Sequence, residues 1–274
     1  MIKNIKDEFP IFKNKINGKD LVYLDSANSS QKPQSVIDAV SFFYSNEFAN
    51  VGRGIYTLAV NASEKYEKTR SNLKKFIGAS SDFEIIFTKN ATESLNLVAS
   101  CFGEKFIEKN DEIILTETEH HANYVPWDFL RKRKGAIIKF LPIDEDGNLK
   151  VEELEKLISN KTKIISITHM SNVTGAITPL EKIIEIAKKN NIPVCVDGTQ
   201  GAAHLDTDIK KMDCDFYAFS GHKMYGPTGV GLLAIKYKWL EAFDPFMGGG
   251  GMIDNVTKKD IAYARGVWKM EAGT

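Results

Sequence analysis

The chain has 274 residues and balanced charge, 36 lysines and arginines against 36 aspartates and glutamates. Such a length supplies one large domain, or a large one with a small appendage, whose core needs no staples. The balance excludes a global field that would recruit nucleic acid or an anionic membrane, and leaves a small, specific ligand as the expectation.

The opening stretch MIKNIKDEFPIFKNK mixes acids with bases and lacks an apolar run long enough for a signal peptide, and no later segment approaches a membrane span. A cytoplasmic protein is expected. The first helical pattern, ASEKYEKTRSNLKKFIG over 62–78, closes on a glycine of the kind that ends helices. The strand EIIFT (84–88) follows, and then KNATESLNLVAS, where Asn90 and Glu93 have capping-box spacing. The free amides of that first turn, with Thr92, form either a local cap or an anion site. After the strand DEIILT (111–116) come His120 and His121. Neighbours on an extended segment point opposite ways, so this pair does not chelate one metal. Whether either imidazole faces a ligand stays open at this point.

The strands AIIKFL (136–141) and KIISITH (163–169) flank the helix VEELEKLIS (151–159), and Asn172 lies just past the second strand. PLEKIIEIAKKNN (179–191) reads as a helix with proline in its first turn and lysines in its last. IPVCVD (192–197) ends an apolar strand on Asp197, a carboxylate that needs a cationic or N–H partner when buried. An aspartate taking amides of the next turn is the alternative. Gln200 adds an amide on the same rim. FYAFS (216–220) and VGLLAIK (230–236) complete the strands, and between them stands SGHKMYGPTG, with Lys223 between His222 and a turn of Gly226, Pro227 and Gly229. The glycine run 248–251 reads equally as a hinge or as backbone packed near a ligand. RGVWKMEAGT stops at Thr274 without a charged tail or helix cap, so a truncated chain is expected. Cys101, Cys195 and Cys214 are odd in number, show no C-x-x-C and lie in apolar or strand-like sequence. That pattern implies a reducing compartment, no zinc and an inert packing role for each.

Apolar, β-branched runs alternating with amphipathic helices predict an α/β fold with a mostly parallel sheet. In such sheets ligands gather outside the carboxyl ends of the strands. Thr92, His120, Asn172, Asp197, Gln200, Ser220, His222 and Lys223 all fall there. With a phosphate on Thr92 and the helix start, a ring under His120 and a pyridinium nitrogen at Asp197, Lys223 is placed to close on an aldehyde as a Schiff base. Ser220 and His222 flank it with donors for the same phosphate. These are the roles that pyridoxal 5'-phosphate requires, and their convergence points to that cofactor.

The motifs YLDSANSSQKP (23–33), ANVGRGIYTLA (49–59), FTKNATESLNLVA, TEHHANYVPW, HMSNVTGAI, VCVDGTQGAAH, DCDFYAFSGHKMYGPTGVGLL and GGGGMI, with the final EAGT, run through nearly the whole chain. In them the sequence resembles the cysteine desulfurases of the sulfur-mobilisation type, relatives of selenocysteine lyase among class V aminotransferases. The resemblance implies the large domain of a fold-type I pyridoxal-phosphate enzyme, a three-layer α/β/α structure. It implies residues 1–20 on the small-domain side, 21–260 as the cofactor-binding domain and 261–274 as the start of a C-terminal small domain. Lys223 matches the Schiff-base lysine and His120 the ring-stacking, proton-handling histidine. Asp197 matches the partner of the pyridine nitrogen; Thr92, Ser220 and His222 match phosphate ligands; Asn172 and Gln200 match residues around the phenolic oxygen. Thr274, in EAGT, matches a threonine reaching the phosphate in the other subunit of a homodimer. The implied activity converts cysteine to alanine with sulfur passed to an enzyme cysteine for iron–sulfur cluster or sulfur metabolism, with cysteine or selenocysteine as substrate and a sulfur-acceptor protein as partner.

Two residues depart from the pattern: Gly52 stands before Arg53 where the family has histidine, and Asn28 stands where a small residue is common. Both loops are expected near the substrate. The family's persulfide-forming cysteine and substrate-carboxylate arginine belong to a segment beyond EAGT, so the 274 residues alone are expected to be inactive in desulfuration. The alternatives are another class V activity (transaminase, kynureninase-like or epimerase) or a non-catalytic cofactor-binding fragment. A dinucleotide site at GVGLLA (229–234) fails because the glycines enter a strand rather than a helix.

Overall fold

The structure, a computed structural model, describes residues 5–273. β-Branched and aromatic runs build seven strands: β1 (Phe83–Thr88), β2 (Glu112–Thr116), β3 (Ile137–Leu141), β4 (Thr162–Thr168), β5 (Val194–Asp197), β6 (Phe216–Ser220) and β7 (Gly231–Lys236). They form one sheet in the order β1-β7-β6-β5-β4-β2-β3. β7 runs antiparallel to both neighbours, and every other adjacent pair is parallel. All seven strands read from the sequence are present, with ends displaced by at most two residues.

The period of two along each strand sorts side chains into two cores. Ile85, Ile114, Ile165, Val196 and Tyr217 face one side, where they meet Ile183, Ile184 and Ala187. Their neighbours Ile86, Ile113, Ile164, Cys195 and Phe216 face the other, against Leu95, Val98, Phe102, Trp127 and Leu130. The first layer includes α5 (Leu180–Lys189); the second is made by α3 (Ala91–Phe106) and α4 (His121–Lys134), with α1 (Gln34–Asn46) and α2 (Thr57–Phe76) preceding them in the chain. This is the expected three-layer arrangement. β3, at the sheet's edge, leaves Ile137 and Phe140 exposed, as an edge strand must.

Some helices differ from the sequence reading. α2 begins at Thr57, five residues before the expected start at 62, because Leu58 and Ala59 continue its pattern. The 151–159 helix is a 3-10 turn, Val151–Glu153, followed by one α-turn, Leu154–Leu157. Pro179 occupies the N-cap of α5 rather than its first turn. Cys195 and Cys214 are fully buried and Cys101 is partly so, and all three are free thiols. Among the described residues no helix is long and apolar enough to cross a membrane.

A buried ion pair pins the end of the described chain to the sheet. Arg70 on α2 meets Glu271 at 2.7 Å, each side chain 7% exposed. Glu271 also accepts from the Tyr66 hydroxyl at 3.0 Å and the Phe87 amide at 2.6 Å, which holds this segment against β1.

Candidate active site

The carboxyl ends of β1, β4, β5 and β6 border a cavity of about 240 Å³, lined by Thr92, His120, Asn172, Asp197, Gln200, Ser220, His222 and Lys223. Eight of the nine residues nominated from sequence therefore meet in one place; the ninth, Thr274, lies outside the described residues.

One wall is the start of α3. Asn90 caps it, its Oδ1 accepting from the Glu93 amide at 2.8 Å. Glu93 reaches back to the Lys89 amide at 2.5 Å, and the Ala91 amide donates to Ser220 Oγ at 2.8 Å. The amides of Ala91 and Glu93 are thus taken, whereas the backbone amide and hydroxyl of Thr92 donate to no described residue. A donor pair at a helix N-terminus is an anion site. β7 starts beside it at Gly231, where a Cβ would lie 2.2–2.6 Å from three backbone atoms of Asn90. Only glycine lets the strand and the helix start come this close.

Asp197 ends β5 and is 4% exposed. It accepts from the Thr199 amide at 3.0 Å and the Thr199 hydroxyl at 2.5 Å, both on Oδ1. The next-turn reading of Asp197 is met on one oxygen, while the residue also lines the cavity. His120 is the N-cap of α4, and its Nδ1 accepts from the Ala122 amide at 3.1 Å. That bond fixes the neutral tautomer with the proton on Nε2. Burial holds the imidazole below its ordinary titration range, against the pull of Asp197.

Lys223 ends the 3-10 turn Gly221–Lys223 that follows β6. Its amine makes no hydrogen bond or ion pair with a described residue, and burial lowers its pKa despite the attraction of Asp197. The loop is clamped from behind. The His222 carbonyl receives the Ser30 amide and hydroxyl, both at 3.0 Å, and Lys32 Nζ at 2.9 Å. Ser30 Oγ also accepts from the Tyr225 amide at 2.8 Å. Gln200 Nε2 donates to the Ala27 carbonyl at 2.8 Å, so this amide also holds the 25–30 loop over the cavity. The outcome is a desolvated amine, a carboxylate, a neutral imidazole and a helix start with unpaired donors around one small space.

The family model for class-V aminotransferases matches residues 22–274. The chain belongs to that family. Over 274 residues this class-V chain is 45% identical to a cysteine desulfurase of Salmonella dublin, a match that covers 100% of the chain and 68% of the relative. The cysteine desulfurase CsdA of Escherichia coli superposes with a TM-score of 0.89 at 38% identity, over 98% of this chain and 66% of that one. The apo cysteine desulfurase of Thermococcus onnurineus NA1 gives 0.92 at 36% identity, over 99% and 66%. The class-V chain therefore belongs with the cysteine desulfurases and spans about two thirds of their length.

Sequence reasoning missed one residue beside the site of this class-V chain. Asn28 lines the cavity as expected. Gly52 and Arg53 line a second cavity of about 1100 Å³, which also touches Thr88, Lys89 and Glu93 around the α3 start. Gly52 has φ +125°, a conformation that a histidine would adopt only with strain. The missed residue is Glu119, whose carboxyl is partly buried one position before His120. Burial and the nearby Asp197 push it up to about 8, against three hydrogen bonds that favour the ionised form. A TETEHH run reads as solvated polar sequence, and only the i+4 spacing to Asn123 hinted at a helix-start contact.

Proposed function

We propose that the protein binds pyridoxal 5'-phosphate at this cavity and that the complete enzyme is a cysteine desulfurase. The supporting observation is the convergence of Lys223, Asp197, His120 and the Thr92 helix start on one 240 Å³ space. The donor set fits the group: an unpaired amine for the aldehyde, a carboxylate for a protonated ring nitrogen, and free donors at a helix start for the phosphate. Similarity to cysteine desulfurases supports the reaction class.

In this reading Lys223 holds the cofactor's aldehyde carbon covalently, and its lowered basicity keeps a larger fraction of the amine nucleophilic. Asp197 holds the ring-nitrogen proton. When bound, the cofactor supplies an electron sink for bond breaking at the substrate's α-carbon. His120, neutral and with its Nε2 proton free, would lie against the cofactor's ring and would hold or move a proton at the substrate's α-carbon. Thr92, Ser220 and His222 bind the phosphate; Asn172 and Gln200 serve the phenolic-oxygen side. The net reaction is L-cysteine plus an enzyme thiol giving L-alanine plus an enzyme persulfide. None of the three cysteines present is suited to be that thiol: burial drives Cys195 and Cys214 far above the reactive range and Cys101 to about 12.

The reading further includes a homodimer with Thr274 reaching the phosphate in its partner, a sulfur-acceptor protein, and a reducing, cytoplasmic location that suits three free thiols. It keeps 21–260 as the cofactor-binding unit between the 1–20 segment and a C-terminal part beginning at 261. The test is to load the chain with pyridoxal 5'-phosphate, reduce with borohydride, digest and locate the label by mass spectrometry. A pyridoxyl group on Lys223 that is absent from Lys223→Ala is expected, and labelling of another lysine instead overturns the assignment.

A further inference from the structure

Beneath the cavity lies a polar network that the proposed chemistry does not use. Glu119 Oε1 accepts from Thr116 Oγ1 at 2.6 Å, at the end of β2, and from the Thr168 amide at 2.9 Å, at the end of β4. Its Oε2 accepts from Asn123 Nδ2 at 2.6 Å, in the first turn of α4. Asn123 is fully buried, and its Oδ1 receives Ser166 Oγ at 2.6 Å and Trp127 Nε1 at 3.4 Å. Two strand ends and one helix are therefore fastened through a single carboxyl. Among the described residues no buried side-chain polar atom is left without a partner.

His120 depends on this joint. Its ring makes one hydrogen bond, to the Ala122 amide, and its carbonyl receives the Asn123 amide at 2.8 Å, so both of its anchors belong to the first turn of α4. Two bonds of Asn123 dock that turn to the sheet: its Oδ1 takes Ser166 of β4, and its Nδ2 reaches Glu119, which is tied to the ends of β2 and β4. We propose that Glu119 is a positioning residue which, through Asn123, sets the orientation of the His120 imidazole over the cavity. Orientation is a property of the chain itself; only its use in stacking rests on the proposed cofactor.

The network also supplies its own control. In Glu119→Gln the side-chain NH₂ faces the Asn123 NH₂, two donors with no acceptor, so the contact is lost. Adding Asn123→Asp reverses the polarity: the glutamine then donates to the aspartate, whose other oxygen still accepts from Ser166 and Trp127. Shape is kept throughout.

The experiment is imidazole ¹⁵N NMR on the cofactor-free chain, in which five histidines give a sparse spectrum and His120→Asn supplies the assignment. The wild type should show His120 as a single tautomer, protonated on Nε2. Glu119→Gln should raise the Nδ1-protonated form at least about fivefold, the population change that one lost buried hydrogen bond carries. The double variant should restore the single tautomer. Should Glu119→Gln not fold, Asn123→Asp alone, which removes the same donor and keeps the acceptor for Ser166 and Trp127, takes its place with the same expectation. A folded single variant whose His120 signals match the wild type overturns the proposal, as does a folded double variant that fails to restore them. Because no cofactor is present, failure of pyridoxal phosphate to label Lys223 leaves this result unaffected.

Discussion

Replacing Gly231 by alanine tests whether the close approach of β7 to the α3 start builds the anion end of the cavity. The added Cβ would stand 2.2 Å from the Asn90 carbonyl carbon, and ordinary contact begins at 3.4 Å, so one backbone must retreat by about 1.2 Å. Neither yields easily: Gly231 is paired with both Thr88 and Ser220, and Asn90 is the cap of a sixteen-residue helix. Overpacking of this kind costs about 1–3 kcal/mol. The same displacement moves the Thr92 amide, and losing one charge-assisted hydrogen bond to a phosphate weakens binding about tenfold, or ~1.4 kcal/mol. Gly229→Ala is the comparison, because Gly229 has φ +78° but nothing within 4 Å of its Cβ. It should cost only the conformational penalty of about 1–2 kcal/mol and leave cofactor affinity unchanged. Urea denaturation and titration with pyridoxal 5'-phosphate, followed by absorbance, measure both quantities. If Gly231→Ala matches the wild type in stability and affinity, the packing argument is wrong.

Asp197→Ala should still be labelled on Lys223 but should lose α-proton exchange in the complete enzyme, read by deuterium incorporation into alanine; full exchange contradicts its role. Glu271→Ala leaves buried Arg70 with only the half-exposed Glu67 carboxylate and the Ile85 carbonyl as partners, and should cost about 1–3 kcal/mol in urea denaturation. A change under about 1 kcal/mol would mean that water reaches the site. Two titratable groups set opposing pH slopes. The Glu119 carboxyl is raised from 4.5 to about 8, so its contribution is complete below pH 4.5 and lost as pH rises through about 8. His169 is lowered by burial from 6.5 to about 4, so its contribution is present above pH 6.5 and lost as pH falls through about 4. Glu119→Gln should flatten the alkaline slope only, measured as the urea midpoint between pH 5 and 9; an unchanged slope rejects this carboxyl as its source. Alanine and sulfide release from cysteine by these 274 residues under reducing conditions should equal that of a Lys223→Ala control. Lysine-dependent turnover would mean that one of the three cysteines serves after all, or that none is needed.

The strands were legible because short apolar, β-branched runs between turn residues have few other uses, and the polar residues after them fall at the carboxyl edge once the sheet is parallel. Lys223, Asp197 and Thr92 could be placed that way. α4 was not legible, since it opens on two histidines and holds Pro126 within its second turn, both unlike a helix start. Its location decided the fate of Glu119, whose burial comes from strands distant in sequence. The Arg70–Glu271 pair was hidden for the same reason: each residue looks like one more surface charge until folding closes a sequence separation of 201.

The reversal of β7 bears on how the reactive lysine comes to be in place. Two parallel neighbours need a crossover of a dozen or more residues, usually through a helix, whereas β6 and β7 are joined directly by residues 221–230. Lys223 therefore rides on a hairpin loop tied at both ends to adjacent strands. Such pairing has low contact order and forms without waiting for distant parts of the chain. The remainder of the cavity, drawn from segments as far apart as Asn28 and Gln200, must then assemble around a lysine that local pairing has already set.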